Sequence, residues 1–249
     1  MAKLTNDDNM DKIFGFKTNK DIFKDSVRYA FSSLETFIFL GFFAVILNFL
    51  EYATDKYLDL LPANPSIGLI ALIIITLVFF IFESGYSFTI YHESLKGSTK
   101  PPLFNNVKEI FHHGIKDFTV ILIYVILFLI GQYIVTYLPF GISFKVILVL
   151  IFNGLMILLM NIALMNLAYH DGNFSYAFNF KEIFGRLFKI GIFRLLMILT
   201  SFEVFEALLV VTDFAHNFLL ASITTFIFAP ILLLISKRIL ILSTMTGKN

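Results

Sequence analysis

Long stretches without a charged residue dominate the hydrophobic pattern of this chain. No Asp, Glu, Lys or Arg occurs between Asp59 and Glu83, between Asp117 and Lys145, between Lys145 and Asp171, or between Asp213 and Lys237. Each stretch is long enough for an α-helix to cross a hydrocarbon layer, which takes about 20 mostly apolar residues. These stretches predict spans 2, 3, 4 and 6 of an all-α, polytopic membrane protein.

Two further spans complete the predicted set of about six. Span 1 covers about residues 34–50 and is bracketed by glutamates. Span 5 covers about residues 190–211 and contains Arg194, Glu203 and Glu206, so its hydrophobic signal is the weakest of the six. An even number of spans places both termini on the same side of the membrane.

The distribution of basic residues supports six spans and predicts their orientation. With six spans, 17 of the 19 Lys and Arg residues lie on the side of the two termini, and only Lys56 and Lys145 lie on the other side. Cytoplasmic loops of membrane proteins are enriched in Lys and Arg. We therefore expect a multi-pass protein of the cell membrane with its N-terminus and C-terminus in the cytoplasm.

A four-residue pattern of base, acid, Ile and Phe recurs three times. It occupies residues 20–23, 108–111 and 181–184, each just before an odd-numbered span. Apolar residues around these copies follow the spacing of one helical face, which is typical of an amphipathic helix at a membrane surface. The alternative is chance recurrence in a chain rich in Lys, Ile and Phe.

The recurrence predicts three membrane hairpins, each preceded by an amphipathic interfacial helix. The repeat units cover about residues 20–95, 104–172 and 178–241. Together they form a single transmembrane domain over residues 20–249, and residues 1–19 form a polar cytoplasmic tail.

Composition excludes several classes of protein. Hydrophobic residues make up 58% of the chain, charged residues 15%, and the mean hydropathy is +0.84, which is far from soluble composition. A net charge of +1 without a basic tail argues against nucleic acid as a partner. The absence of Cys excludes disulfides, thiolate nucleophiles and Cys-based zinc sites.

Polar residues inside the predicted spans form the candidate site. Glu83 lies in span 2, Asn161 in span 4, and Glu203 and Glu206 in span 5. Ionisable groups in hydrocarbon are costly and often functional, so these residues could line a cation or proton path. The alternative is hydrogen bonding between helices. We favour the alternative, because the pattern identifies no cationic partner at membrane depth.

Nothing in the sequence predicts an enzyme, a cofactor or a metal site. The four histidines on the predicted cytoplasmic side have no metal-ligand spacing; they are His92, His112, His113 and His170. Phosphate-binding glycine loops and nucleophile-elbow motifs are absent from the sequence.

Motifs between Glu83 and Tyr124 resemble a known family. They are Glu83-Ser84-Gly85-Tyr86, Leu95-Lys96-Gly97, Pro101-Pro102, Phe104, Val107, Gly114-Ile115-Lys116 and Ile123-Tyr124. In this order they resemble the uncharacterised archaeal membrane-protein family catalogued as domain of unknown function 4013. The resemblance extends from about Phe23 to the last span, although the loop after Pro102 holds few acidic residues. It implies a membrane location and helical architecture, and no catalytic residue.

Two functional classes therefore remain. The first is a non-enzymatic membrane-organising or lipid-interacting protein, favoured by interfacial basic and aromatic residues, with membrane lipids as its partners. The second is a small permease or channel-like transporter that uses the intramembrane acidic residues. Protein partners and any substrate are unassigned.

Overall fold

The computed structural model describes residues 18–59, 67–191, 194–196, 198–200 and 218–245. All regular elements within these residues are helices. The α-helices are α1 (Asn19–Ala30), α2 (Leu34–Asp59), α3 (Ile67–Leu95), α4 (Val107–Thr136), α5 (Ile142–Tyr169), α6 (Phe180–Ile190) and α7 (Phe218–Met245), with a 3₁₀ helix at Phe174–Phe178 between α5 and α6.

Five helices are long and apolar enough to cross a membrane. They are α2 to α5 and α7, and they coincide with predicted spans 1, 2, 3, 4 and 6. The prediction of a multi-pass helical membrane protein is therefore confirmed. Most of predicted span 5 falls outside the described residues, so the six-span count, the three hairpins and the domain boundaries stay predictions.

The described helices divide into two regions across their length. We call residues 18–33, 81–121, 156–191 and 230–245 the packed layer, and residues 34–52, 67–80, 122–155 and 218–229 the apolar layer. The twelve largest fully buried side chains all lie in the packed layer, among them Tyr29, Tyr91 and Leu167. Large apolar side chains of the apolar layer are mostly exposed, as Ile142 is at 82%. The apolar layer therefore has the surface that faces lipid, whereas the packed layer is held by protein contacts.

Each copy of the repeated four-residue pattern begins a helix. In each copy a side-chain oxygen three residues before the acid accepts a hydrogen bond from the backbone N–H of the acid, as an N-cap does. The pairs are Thr18 with Asp21, Asn106 with Glu109, and Asn179 with Glu182. The isoleucine that follows the acid is buried in every copy, as Ile22, Ile110 and Ile183. The pattern thus encodes a capped helix start with an inward-facing isoleucine.

The prediction of a separate interfacial helix before span 3 is wrong. The second copy opens α4, which runs without interruption from Val107 to Thr136. In the third copy α6 stops at Gly191, whose φ of 76° ends the helical conformation. Residues 107–136 contain no comparable break, because Gly114 keeps helical geometry within α4. Only the first and third copies form short separate helices, α1 and α6.

A glycine pair brings α3 and α4 into backbone contact. Gly85 faces Ile110, and Gly114 faces Ile81, so that a Cβ at either glycine would overlap a carbonyl oxygen of the other helix. Small residues allow membrane helices to approach this closely. The contact holds together the two helices that carry Glu83, Tyr91 and Asp117.

Candidate functional site

Four helices bring a set of polar side chains together inside the packed layer. We call this set the buried polar cluster; it comprises Glu83 and Tyr91 of α3, Asp117 of α4, Asn161 of α5 and Lys237 of α7. Asp117 and Tyr91 are completely buried, Asn161 and Lys237 are exposed by only 6% and 7%, and Glu83 is partly buried. The cluster lies near the boundary with the apolar layer.

Asn161 is the central acceptor of the cluster. Its Oδ1 accepts a hydrogen bond from the Tyr91 hydroxyl at 3.1 Å and one from Lys237 Nζ at 3.4 Å. Its own amide nitrogen donates to the carbonyl oxygen of Ile157 at 2.9 Å. The Lys237 ammonium also lies 4.5 Å from the centre of the Tyr91 ring, within the range of a cation–π contact.

Asp117 is a completely buried carboxyl group of the cluster. Both carboxyl oxygens are buried, and neither accepts a hydrogen bond from a described residue. Lys237 interacts electrostatically with both Asp117 and Glu83, but no ion pair joins its Nζ to either carboxylate within the described part of the chain. The cluster therefore combines one buried lysine with two acidic residues that interact with it.

The structure brings two of the four predicted site residues together. Glu83 and Asn161 both lie in the buried polar cluster, whereas Glu203 and Glu206 lie outside the described residues. The sequence pattern identified no cationic partner at membrane depth, whereas in the structure Lys237 of α7 interacts electrostatically with Glu83. The sequence analysis counted Lys237 with the C-terminus, because it ends the last charge-free stretch.

The sequence does contain signals for both missed residues. Lys237 is followed by Arg238 and then by the apolar run at residues 239–242, so the helix continues beyond it. Asp117 lies seven residues after Ile110 and seven before Tyr124, which places it on the buried face of α4. Helical spacing alone would have placed this carboxyl group inside the protein.

Arg238, next to Lys237, joins α7 to α1. Its Nε donates to Asp25 Oδ2 at 3.0 Å, and a second guanidinium nitrogen donates to the Ser98 carbonyl oxygen at 3.0 Å. The guanidinium lies 4.8 Å from the centre of the Tyr29 ring. Burial raises the pKa of Tyr29 to about 12, so this phenol stays neutral. Arg238 thus fixes α1 against the end of the bundle.

A second polar network connects α5 with α6. The Glu182 carboxylate accepts a hydrogen bond from Arg186 at 2.8 Å and contacts His170 Nε2 at 3.1 Å. Arg186 also donates to Asn166 Oδ1 at 3.1 Å. Burial by itself would raise the pKa of Glu182, but the hydrogen bonds and charges of Arg186 and His170 outweigh it and lower the pKa below its ordinary value.

An amphiphilic cavity of about 630 Å³ opens between the α1–α2 connection, α3, the 96–106 loop and the start of α4. Its polar wall includes Ser32, Ser33, His92, His113, Lys96 and Lys100, and its apolar wall includes Phe88, Ile110 and Leu103. His113 stacks on Phe88 with ring centres 4.1 Å apart. We call this space the headgroup-side cavity. Its mixed walls suit a ligand with both polar and apolar parts.

An apolar groove of about 380 Å³ lies on the lipid-facing side of α2. Its walls are Glu35, Ile38, Phe39, Phe42, Phe43 and Ile46. Ser33 in the wall of the headgroup-side cavity and Glu35 in the wall of this groove are two residues apart. The polar space and the apolar space thus draw lining residues from the same short segment at the start of α2.

In the described part of the chain, no three His, Asp, Glu or Cys side chains form a group that could hold a metal ion.

No curated protein and no solved structure shows a significant match to the chain. The family model described as "Protein of unknown function (DUF4013)" matches residues 68–236, which is well over half of the sequence. The resemblance found in the motifs between Glu83 and Tyr124 is thereby confirmed, and the chain belongs to this family.

Proposed function

We propose that the protein is a non-enzymatic membrane protein that binds lipid at the start of α2 and organises the membrane around it. In this proposal it spans the cell membrane six times as three repeated hairpins, and both termini are cytoplasmic. The excess of Lys and Arg on one side of the spans supports this orientation.

The observation that carries the proposal is that residues at the start of α2 line both the headgroup-side cavity and the apolar groove. A phospholipid has a charged headgroup next to long hydrocarbon chains, and it needs a polar and an apolar site within a few ångströms of each other. Ser33 and Glu35, two residues apart, line one space each. Exposed phenylalanines on the same surface, such as Phe42 at 61%, extend the apolar contact.

Two lysines and two glutamates line the headgroup-side cavity, and one of the lysines is available to an anionic headgroup. Lys96 pairs with Glu93 at 3.1 Å, which leaves Lys100 as an exposed cation that makes no ion pair with a described residue. A basic residue near a membrane surface attracts an anionic lipid by about 1 kcal/mol. We therefore expect Lys100 to contribute to headgroup selection.

Native mass spectrometry of the purified protein tests this proposal. The protein would be equilibrated with an anionic and a zwitterionic phospholipid that carry the same acyl chains. We expect preferential retention of the anionic lipid by the wild type, and a reduction of several-fold when Lys96→Gln and Lys100→Gln are combined. Lys108→Gln is the matched control, because Lys108 is exposed at the start of α4 and does not line the cavity.

Equal retention of the two lipids, or an equal loss in the double variant and in Lys108→Gln, would refute selective binding in this cavity. Equal retention of the two lipids would mean that lipid only solvates the protein without selection. Equal losses in the two variants would mean that the preference for anionic lipid depends on the overall charge of the protein.

The buried polar cluster supports a second candidate function, a small permease or channel-like transporter. Glu83, Asn161 and Lys237 meet inside the bundle, where ionisable groups often mark ion pathways. Proton or cation flux would be measured in liposomes for the wild type, Glu83→Gln and Glu203→Gln. Flux that is lost in either variant with unchanged thermal stability would favour transport over lipid binding.

A further inference from the structure

The surroundings of Asp117 are incomplete for an ionised carboxylate. The side chain is fully buried, and both Oδ atoms lack a hydrogen-bond donor among the described residues. A buried carboxylate is unstable unless donors or an opposite charge face it directly. The observed arrangement therefore suits the neutral acid, or it requires a partner that can move toward Asp117.

Lys237 is the group that can move. Its ammonium now contacts Asn161 at 3.4 Å and lies over the Tyr91 ring at 4.5 Å. A lysine head is carried on a flexible four-carbon stem, so it can exchange one acceptor for another by side-chain rotation. Lys237 interacts electrostatically with Asp117 in its present position. Rotation of its stem toward Asp117 would exchange the contacts with Asn161 and Tyr91 for one with the carboxylate.

The space beside Asp117 limits what can bind there. Its carboxyl oxygens have no surface that a water molecule can reach. A metal ion or hydrated cation needs room for itself and several further ligands. A proton needs no added volume, so it is the ligand that fits without rearrangement.

We propose that Asp117 is an exchangeable proton-binding site for which the Lys237 ammonium competes. With the proton bound, Asp117 is neutral and Lys237 lies on Asn161 and Tyr91, as the structure has it. When the carboxyl O–H bond breaks, the electron pair stays on the oxygen, and the proton passes to a water molecule that enters during a transient opening of the packed helices. The resulting carboxylate then attracts Lys237 away from Asn161.

Three other helices contribute groups to this site. Tyr91 of α3 and Lys237 of α7 interact electrostatically with Asp117. Asn161 of α5 and Glu83 of α3 interact with Lys237, and Glu51 of α2 interacts with Glu83. Glu83 competes with Asp117 for the same ammonium, so its charge favours the protonated form of Asp117. The proposal is independent of lipid binding, because the headgroup-side cavity does not include these residues.

Infrared spectroscopy of the full-length protein in liposomes tests the proposal directly. The C=O stretch of a protonated carboxyl group absorbs at a different frequency from the stretches of a carboxylate, so the two forms can be distinguished. We expect this band in the wild type at mildly acidic pH, a shift of the band after labelling with [4-¹³C]aspartate, and its loss in Asp117→Asn. Isotope labelling assigns the band to aspartate even if that variant fails to fold.

The second measurement follows the band as pH rises. The midpoint is the pH at which half of the protonated-carboxyl band is lost. Removal of the competing ammonium by Lys237→Gln should raise this midpoint by at least about one pH unit, which is typical of the loss of a close opposite charge. Lys116→Gln is the matched control, because Lys116 precedes Asp117 in the chain but donates to the Gly172 carbonyl oxygen at 3.1 Å. We expect no comparable shift in this control.

Three results would overturn the proposal. An aspartate band that is absent at every pH would mean that Asp117 stays ionised. A band that does not change with pH would mean that its proton does not exchange. Equal midpoints in the wild type and in Lys237→Gln would mean that the lysine does not compete for this site.

Discussion

The packed layer and the apolar layer use the same four helices in different ways. In the packed layer, α3, α4, α5 and α7 bury tyrosines, an aspartate, a lysine and an arginine against one another. In the apolar layer the same helices expose leucine and isoleucine, and a hydrogen bond between Gln132 and Asn153 at 3.1 Å joins α4 to α5. Lipid is as apolar as leucine, so no hydrophobic force drives these helices together there.

The comparison locates the determinants of this fold. Close packing and satisfied polar groups must hold the helices in the packed layer, whereas the apolar layer needs only a surface that matches lipid. Substitutions of equal size should therefore have unequal effects in the two layers. Measurements of unfolding in detergent micelles can test this difference.

The largest effect is expected from truncating a leucine of α5 in the packed layer. Leu167 is fully buried, so Leu167→Ala leaves a cavity and should lower the free energy of unfolding by about 3 kcal/mol. Leu150→Ala on the same helix is the control, because Leu150 is 64% exposed in the apolar layer. We expect less than about 0.5 kcal/mol for the control. Equal losses would contradict the division into two layers.

An added methyl group at the α3–α4 contact should have the next largest effect. Gly114→Ala places a Cβ against the Ile81 carbonyl oxygen, so the helices must separate at a cost of about 2 kcal/mol. Gly185→Ala, in α6, is the control, because no atom lies near the added Cβ and alanine favours helix. Thermal unfolding of the two variants side by side would measure the difference. A neutral Gly114→Ala would show that the backbone contact is not needed.

The smallest effect concerns pH and the Glu182 network. Because the folded-state pKa of Glu182 is lowered, its stabilisation is present above the ordinary glutamate pKa and is lost as pH falls through the lowered value. We expect Glu182→Gln to be less stable than the wild type near neutrality by about 0.5–1 kcal/mol, after allowance for solvent screening. The difference should shrink in acid. A difference that is constant with pH would exclude a role for the carboxylate charge.

Several features of the fold could be predicted because they depend on local chemistry. The charge-free stretches identified four of the membrane-length helices, the glutamate-bracketed stretch identified the fifth, and the repeated pattern at residues 20–23, 108–111 and 181–184 marked three helix starts. The isoleucine of each copy is buried for the same reason, since it lies one residue after the capping acid on the inward face. What the pattern did not predict is the continuity of α4.

The composition of the site depended on contacts between distant segments. Glu83 and Asn161 could be selected because each is a polar residue in an apolar stretch, but 78 residues separate them in the chain. Lys237 was assigned to solvent by its charge and its closeness to the C-terminus. It is buried because Tyr91 of α3 and Asn161 of α5 contact it, whereas the apolar run that follows it indicates only that the helix continues.

Length and hydropathy therefore established the membrane class and most of the helices, because a span must satisfy its own backbone and match the lipid without help from other segments. Family membership followed from short motifs that retain their order along the chain. The packing of four helices decided which charged residues are buried. It also decided that Asp117 and Lys237 share one interior. Burial of a charge is favourable only when groups from several helices surround it, and that arrangement exists only in the assembled fold.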